Sequence, residues 1–297
     1  MELTVVIVNF NSDKDKLNNC LKSISIKTKI LIIDHSHNLT LDKILIPENL
    51  KIEIIRNENL GNGAGINCGL KNSQTRFVLY LDSDVILSRD FFKVLELSVN
   101  KINEFAILAP KIKGHYSKNS LKRGHLLFYQ YYYNKFFNNL KVKKSGIENI
   151  NEVFYVNGSI MFIDKKNTFD AGIKFDEKIF LFFEENDFFH QCFKSNKKIY
   201  MIENLPSDHL DGSVDDKSFK FECFKKWHWE WSKYYFMNKH YNSVFVAFVA
   251  TKNLIKFIIK MIFFFALNRT KYKIYLSRIN GLLSFYLNKE KLKLNEL

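Results

Sequence analysis

Proline is scarce in this chain, three in 297 residues, and glycine stops at eleven. So little of either argues against long disordered linkers and low-complexity tracts. The four cysteines, Cys20, Cys68, Cys192 and Cys223, stand far apart with no metal-ligand spacing. They read as reduced, mostly buried thiols of a cytosolic protein. No basic n-region precedes the apolar run that starts at Leu3, so no signal peptide is expected. A Walker-type Gly-Lys-Ser/Thr loop is missing, and no Gly-x-Gly-x-x-Gly follows the first strand-like run. Neither a P-loop ATPase nor a nicotinamide enzyme is indicated. Acidic residues are also short, 31 against 45 Lys and Arg, a formal charge of +14. The excess is local: Lys217 to Leu297 holds sixteen Lys or Arg against four Glu, a net +12. Such asymmetry points to a polyanionic partner.

What the chain does have is a series of short apolar runs, each ending in polar residues. The run around which the rest is organised is Phe77-Val78-Leu79-Tyr80-Leu81, closed by Asp82-Ser83-Asp84. Five such residues between turn-prone segments predict a strand buried on both faces. Two carboxylates one residue apart then fall at the C-terminal edge of a parallel strand, where open α/β sheets bind ligands. Like charges that close call for a cation. A hard divalent ion with oxygen ligands, Mg2+ or Mn2+, suits them and bridges naturally to phosphates.

Leu3 to Val8 is the first such strand and ends in Asn9-Phe10-Asn11. Ser12 is placed to cap a helix over Asp13 to Ile24. Ile30 to Ile33 ends at Asp34, and Ile52 to Ile55 is a third strand. An acid at a second strand's tip is a common grip on a nucleotide's ribose or base. Asn59 to Gly69 holds four glycines, Gly61, Gly63, Gly65 and Gly69, and leads into a helix toward Ser73. Small residues there let backbone approach a phosphate, or let the helix pack close on the sheet; both readings stand. Ser88 is placed to cap a helix to about Asn100, Ala106 to Ala109 is a strand stopped by Pro110, and Glu152 to Ile163 ends in a buried strand, Gly158 to Ile163. Lys111 to Ile150 is Lys-, Tyr- and Asn-rich and reads as a surface excursion. Strands alternating with helices predict an α/β fold with a mostly parallel, Rossmann-like sheet flanked by helices.

A second acidic cluster, Glu184-Glu185-Asn186-Asp187, is set among Phe182, Phe183, Phe188 and Phe189. Apolar surroundings raise a carboxyl pKa and make it a usable general base. A helix N-terminus suits these acids. Ile199 to Ile202 is a further strand, and Ser207-Asp208-His209-Leu210-Asp211-Gly212-Ser213 follows it. His209 beside Asp208 is a candidate third metal ligand or diphosphate contact.

The order of these features resembles family 2 glycosyltransferases with the GT-A fold, most of all a rhamnosyltransferase-like branch that builds bacterial surface polysaccharide. The resemblance rests on Val8-Asn9-Phe10-Asn11, Asp34, Asn59-x-Gly61 with Asn67-x-Gly69, Asp82-Ser83-Asp84, Gly158-Ser159, the run Phe175 to Asp187, and His209-x-x-Gly212-Ser213. It implies inverting, metal-dependent transfer of a sugar from a nucleotide-diphosphate donor to a saccharide or lipid-linked saccharide. In that reading Val8, Asn9, Phe10 and Asp34 hold base and ribose, and Asp82 faces ribose or diphosphate. Asn59, Gly61, Asn67, Ser83 and Gly158 belong to the same donor site. Asp84 binds the metal with help from His209. The family's base is the second acid of a Glu-Asp pair. That position here is Glu185, one methylene longer, with Glu184 and Asp187 as alternates. The catalytic domain is expected over residues 1–215.

Residues 216–297 form a basic helical extension. Trp227, Trp229 and Trp231 crowd its first part, and Val244 to Leu267 is apolar but interrupted by Lys252, Lys256 and Lys260. Its longest charge-free stretch, Tyr241 to Thr251, is 11 residues, too short to span a bilayer. A helix lying in the interface is expected, with lysines toward anionic headgroups and tryptophans at the boundary. Packing on the domain or on a second copy as a homodimer is the alternative. No nucleic-acid-binding module is recognisable. The expected location is cytoplasmic, peripheral to the inner membrane. Two other functions remain open: a sugar nucleotidyltransferase, and a non-catalytic assembly protein that binds nucleotide sugar.

Overall fold

A computed structural model of the chain describes residues 1–111, 146–205, 207–209 and 218–289. Most of the excursion expected over Lys111 to Ile150, and Gly212-Ser213, fall outside the described residues. The chain divides into two units: residues 1–59, 64–175 and 188–215, and residues 60–63, 176–187 and 216–297.

The first unit is built on one eight-stranded sheet in the order β3-β2-β1-β4-β8-β6-β9-β7. Its first four strands are the apolar runs of the sequence: β1 (Leu3–Asn9), β2 (Thr28–Asp34), β3 (Leu50–Arg56) and β4 (Phe77–Leu81). They pair in parallel. Val5, Val6 and Ile7 are wholly buried, as a strand covered on both faces requires. The far half comprises β6 (Ile107–Pro110), β7 (Ile150–Val153), β8 (Ile160–Asp164) and β9 (Ile199–Ile202). There β8 runs antiparallel to both β4 and β6, and β7 antiparallel to β9. Pro110 closes β6 as its last residue. Arg76 locks the β4–β8 seam: its Nε and Nη2 donate to the Asp164 carboxylate at 3.0 and 2.6 Å.

Helices α1 (Lys14–Ser23), α2 (Asn62–Asn72) and α3 (Phe91–Val99) connect the strands. Both expected caps are corrected. Asp13, not Ser12, caps α1, its Oδ1 accepting from the Asp15 and Lys16 amides. Asp90, not Ser88, precedes α3 and makes no side-chain cap. Ser12 is engaged elsewhere, as shown below. A strand absent from the sequence reading, β5 (Val85–Leu87), pairs antiparallel with β10 (Ser207–His209) as a separate two-stranded sheet.

α4 (Glu184–Lys194) starts in the second unit and ends in the first. The second unit is otherwise helical: α5 (Phe219–His240), α6 (Ser243–Leu267) and α7 (Arg269–Tyr286). α5 turns its tryptophans inward. Trp227 and Trp231 are buried, and Trp231 stacks on Tyr235 at 5.2 Å. That corrects the expectation of tryptophans at a membrane boundary. Gly281 lets α7 close on α5, since a Cβ there would meet the Trp227 carbonyl oxygen at 2.3 Å.

Candidate active site

The sheet order reverses direction between β1 and β4, the point where open α/β sheets leave a crevice at their C-terminal ends. Asn9 ends β1 and stands in register with Asp34 at the end of β2. Asn9 Nδ2 donates to Asp34 Oδ1 at 2.7 Å and to Ser36 Oγ at 3.2 Å. The Ser36 amide and hydroxyl add two more bonds to Oδ1, and the Leu39 amide donates to Oδ2 at 3.1 Å. Burial alone would raise the Asp34 pKa, but these hydrogen bonds outweigh it and hold the carboxyl below its ordinary value. Asp34 is thus a fixed anion that sets the β1 and β2 ends. Val8 and Phe10 flank Asn9 and are half-buried.

At the end of β4 the acidic turn is held from three sides. The Asp82 amide donates to the Ser159 carbonyl at 2.9 Å, tying it to the Gly158-Ser159 turn before β8. Tyr80 donates its hydroxyl to Asp82 Oδ1 at 2.5 Å. Ser83 Oγ donates to Ser12 Oγ at 2.9 Å, which joins the β4 loop to the β1 loop. Asp84 is buried. Below the turn, burial first, then the Asp84 and Asp82 charges, push the Cys20 thiol pKa up. That buried thiol stays protonated. β10 adds the last member: His209 pairs with Val85, the residue after Asp84. The backbone therefore brings the His209 position beside the Asp-Ser-Asp turn.

The glycine-rich segment resolves mainly toward packing. A Cβ on Gly65 would lie 2.6 Å from His35 Nε2, and one on Gly69 would lie 2.3 Å from Val6 Cγ1. These glycines let α2 close on β1. Asn67 is engaged with backbone 108 residues away: its Nδ2 donates to the Phe175 carbonyl at 2.9 Å and its Oδ1 accepts from the Phe175 amide at 3.1 Å. Asn59 is half-buried in the loop ahead of α2.

The second unit holds the other acidic cluster. Leu181 leads into Phe182 and Phe183, both in the left-handed region at φ 63° and 69°. Two successive bulky residues there cost about 1–3 kcal/mol each. α5 stabilises the turn: both rings pack on Trp229, at 5.1 and 5.0 Å, and Ser232 Oγ donates to the Leu181 carbonyl at 2.8 Å. Glu184 and Glu185 follow at once as the first residues of α4. Asn62 Nδ2 donates to Glu184 Oε1 at 3.4 Å. Glu184 Oε2 and Glu185 Oε2 are buried with no hydrogen-bond partner among the described residues. Burial, then the charge on Glu185, pushes Glu184 well above the ordinary glutamate pKa. Burial raises Glu185 too, partly offset by hydrogen bonds from its own amide and from Glu184.

Asp187 lies one turn on and is in a different electrostatic state. Its wholly buried carboxylate meets His240 Nε2 at 2.6 Å and Lys239 Nζ at 2.9 Å. Lys239 also reaches Asp176 Oδ2 at 2.8 Å, which accepts from the Tyr235 hydroxyl at 2.9 Å. Burial would raise the Asp187 pKa, but the hydrogen bonds from His240 and Lys239 bring it below the ordinary value. A permanent, ion-paired anion anchors a helix; a carboxyl raised by burial, with no cation paired to it in the same way, is suited to take a proton.

Asp82 and Asp84 at the end of β4 carry carboxylate oxygens of the kind a hard divalent cation takes, and β10 brings the His209 backbone alongside. Among the described side chains, no three His, Cys, Asp or Glu residues cluster closely enough to hold a metal on protein ligands alone. Such an ion would need substrate oxygens to complete its shell.

A model of the Glycosyl transferase family 2 family matches residues 4–166, more than half of the chain. The chain belongs to that family, and its α/β fold with a mostly parallel sheet is the GT-A-like fold expected of a glycosyltransferase. Solved structures agree on the fold. S. aureus TarS 1-349 in complex with UDP-GlcNAc superposes with a TM-score of 0.51 at 16% identity, covering 97% of this chain and 93% of that one. GalNAc-T7 with UDP, GalNAc and Mn2+ gives 0.54 at 16% identity, covering 73% of this chain and 45% of that one. No curated protein matches the chain in sequence.

Proposed function

We propose that the chain transfers a sugar, with inversion, from a nucleoside-diphosphate donor to a saccharide acceptor, lipid-linked in surface-polysaccharide synthesis. The observation that carries this reading is the pair Glu184-Glu185, the first buried and the second half-buried, both raised in pKa, in a family 2 chain whose β4 ends in Asp82-Ser83-Asp84. The TarS structure holds UDP-GlcNAc, and the GalNAc-T7 structure holds UDP, GalNAc and Mn2+. A uridine diphosphate sugar is therefore the first donor to try. Residues 1–215 form the catalytic domain in this reading, and residues 216–297 hold the enzyme at the cytoplasmic face of a membrane.

The roles follow from the chemistry of each group. Asn9 and the anion Asp34 shape the nucleoside end, with Val8, Phe10, Asn59 and Gly61 around it. Asp84, with Asp82 and His209, would hold Mg2+ or Mn2+ at the diphosphate end of the donor. When bound, that ion offsets the charge developing on the leaving nucleoside diphosphate. Glu185 takes the proton of the acceptor hydroxyl. The acceptor oxygen forms its bond to the anomeric carbon from the opposite face while the bond to the β-phosphate oxygen breaks. Burial raises the proton affinity of both glutamates; the Glu185 charge adds to it at Glu184, and the hydrogen bond from Glu184 offsets part of it at Glu185. Asp187 fixes the start of α4.

The test is to incubate the full chain with Mn2+ and a panel of nucleotide sugars, and to measure nucleoside diphosphate release with and without lipid-linked acceptor. Acceptor-stimulated release supports the transferase. Pyrophosphate exchange from a nucleoside triphosphate would replace it with a nucleotidyltransferase. Tight donor binding with no turnover on any acceptor would leave the non-catalytic assembly reading.

A further inference from the structure

α6 presents an apolar stripe that no described residue of its own unit covers. Val244, Phe248, Ile255, Ile259, Ile262 and Phe263 are between 54% and 75% exposed. Their spacing of four, seven, four and three, with Phe263 beside Ile262, keeps them on one face of a helix at 3.6 residues per turn. Val246, Val249, Ala250 and Phe257 lie on the buried face. Lys252 and Lys256 are exposed and sit along the edge of the apolar stripe, each four residues on from the last member of its row. α7 stitches the hairpin from the inner side: Tyr275 stacks on Phe264 at 5.9 Å, and Arg278 lies over the Phe257 ring at 5.2 Å.

The charge of the whole hairpin is one-sided. From Trp231 to Lys289 there is no Asp or Glu, against ten Lys or Arg. Arg269, Lys271 and Lys273 add exposed cations at the start of α7. No described helix is long and apolar enough to cross a membrane. At 25 residues α6 is about 37 Å long, so a flat orientation brings the full stripe to an interface.

We infer that this face of α6 docks into the headgroup region of an anionic bilayer, the stripe entering the acyl boundary while Lys252 and Lys256 meet lipid phosphates. The inference rests on the membrane reading of residues 216–297 given above and names the surface responsible. A second copy of the chain is the poorer occupant. Pairing like faces would bring cations against cations with no acid in either hairpin to offset them. A nucleic acid supplies anions but no apolar layer for Val244, Ile255, Ile259 and Ile262.

The experiment is co-sedimentation of the full chain with phosphatidylcholine vesicles, with and without phosphatidylglycerol, beside equilibrium sedimentation of the protein alone. Wild type should pellet with the anionic vesicles only. The pairs Phe248→Ser with Ile259→Ser, and Lys252→Glu with Lys256→Glu, should each lower partitioning by about tenfold or more. Donor turnover on a soluble acceptor and the melting temperature should stay unchanged in both. Equal pelleting of wild type and both variants overturns the inference. So does a concentration-dependent dimer that the serine pair abolishes, or vesicle binding displaced by RNA. Vesicle binding is read without turnover, so failure of the transferase reading and failure of this surface are separable.

Discussion

His240 Nε2 lies 2.6 Å from the carboxylate of Asp187, 53 residues earlier in the chain. The contact ties the C-terminal end of α5 to the first turn of α4, two residues beyond Glu185. A general base needs a fixed position as much as a fitting pKa, because a displacement of about 1 Å can cost on the order of a hundredfold in rate.

Asp187→Ala leaves Lys239 and His240 beside an apolar methyl. The expected cost is about 3–5 kcal/mol, the range for breaking a buried pair by removing one partner. Urea denaturation of the variant checks it. The folded Asp187 pKa is depressed, so its stabilising contribution is present above the unfolded aspartate value and lost as pH falls through the folded one. An Asp187→Ala protein as stable as wild type at neutral pH would remove Asp187 as an anchor.

Glu185→Gln keeps the shape of the side chain and removes its basicity. Turnover should fall by about 10²–10⁴-fold with donor KM within a few fold. In the wild type, kcat/KM should rise with pH through a value above that of an ordinary glutamate, because burial raises the Glu185 pKa. If the acid limb survives in Glu185→Gln, the proton acceptor is another group, and Glu184→Gln becomes the variant to measure.

Glu184 offers a prediction of opposite sign for stability. Its pKa is raised on folding, so the native state holds a proton that the unfolded chain has lost. The native state loses stability as pH rises above the unfolded glutamate value. Glu184→Gln should therefore raise the melting temperature at pH 8 more than at pH 5, with a loss of activity. A lower melting temperature at pH 8 would show that the carboxylate is satisfied there.

Gly61 has φ +109°, and a Cβ there would sit 2.2 Å from the Phe180 carbonyl oxygen. The Asn62 amide donates to that same oxygen at 3.2 Å. Gly61→Ala should destabilise by about 1–3 kcal/mol through backbone strain alone. Thermal unfolding checks it, and a neutral result would mean the loop can reset.

The near half of the fold was legible because buried parallel strands announce themselves as apolar runs. Phe77 to Leu81 and Leu3 to Val8 are two such runs. Asp82 and Asp84 were legible for the same reason, as the point where such a run stops. β5 was not, since Val85-Ile86-Leu87 is three residues long and becomes a strand only by pairing with Ser207 to His209. The split among the three acids was also hidden. Glu184, Glu185 and Asp187 look alike in sequence, and what separates them is Lys239 and His240, more than fifty residues away. Positive φ at Phe182 and Phe183 carries no sequence signal at all, because phenylalanine disfavours it. The caps failed on local competition: Asp13 took the α1 amides and freed Ser12 for Ser83. The glycines of α2 left phosphate approach and close packing open in the sequence, and the contacts of Gly65 and Gly69 with His35 and Val6 become visible only in the fold.

The central proposal is that Asp84 holds the diphosphate through a divalent cation while Glu185 accepts the proton. The direct measurement is Mn2+-dependent release of nucleoside diphosphate from the donor found in the panel, in wild type, Asp84→Ala and Glu185→Gln, with donor affinity measured on each. The account predicts that Asp84→Ala loses both affinity and Mn2+ dependence, and that Glu185→Gln binds donor as wild type does and does not turn over. Wild-type release by Asp84→Ala, with its Mn2+ dependence intact, would contradict it.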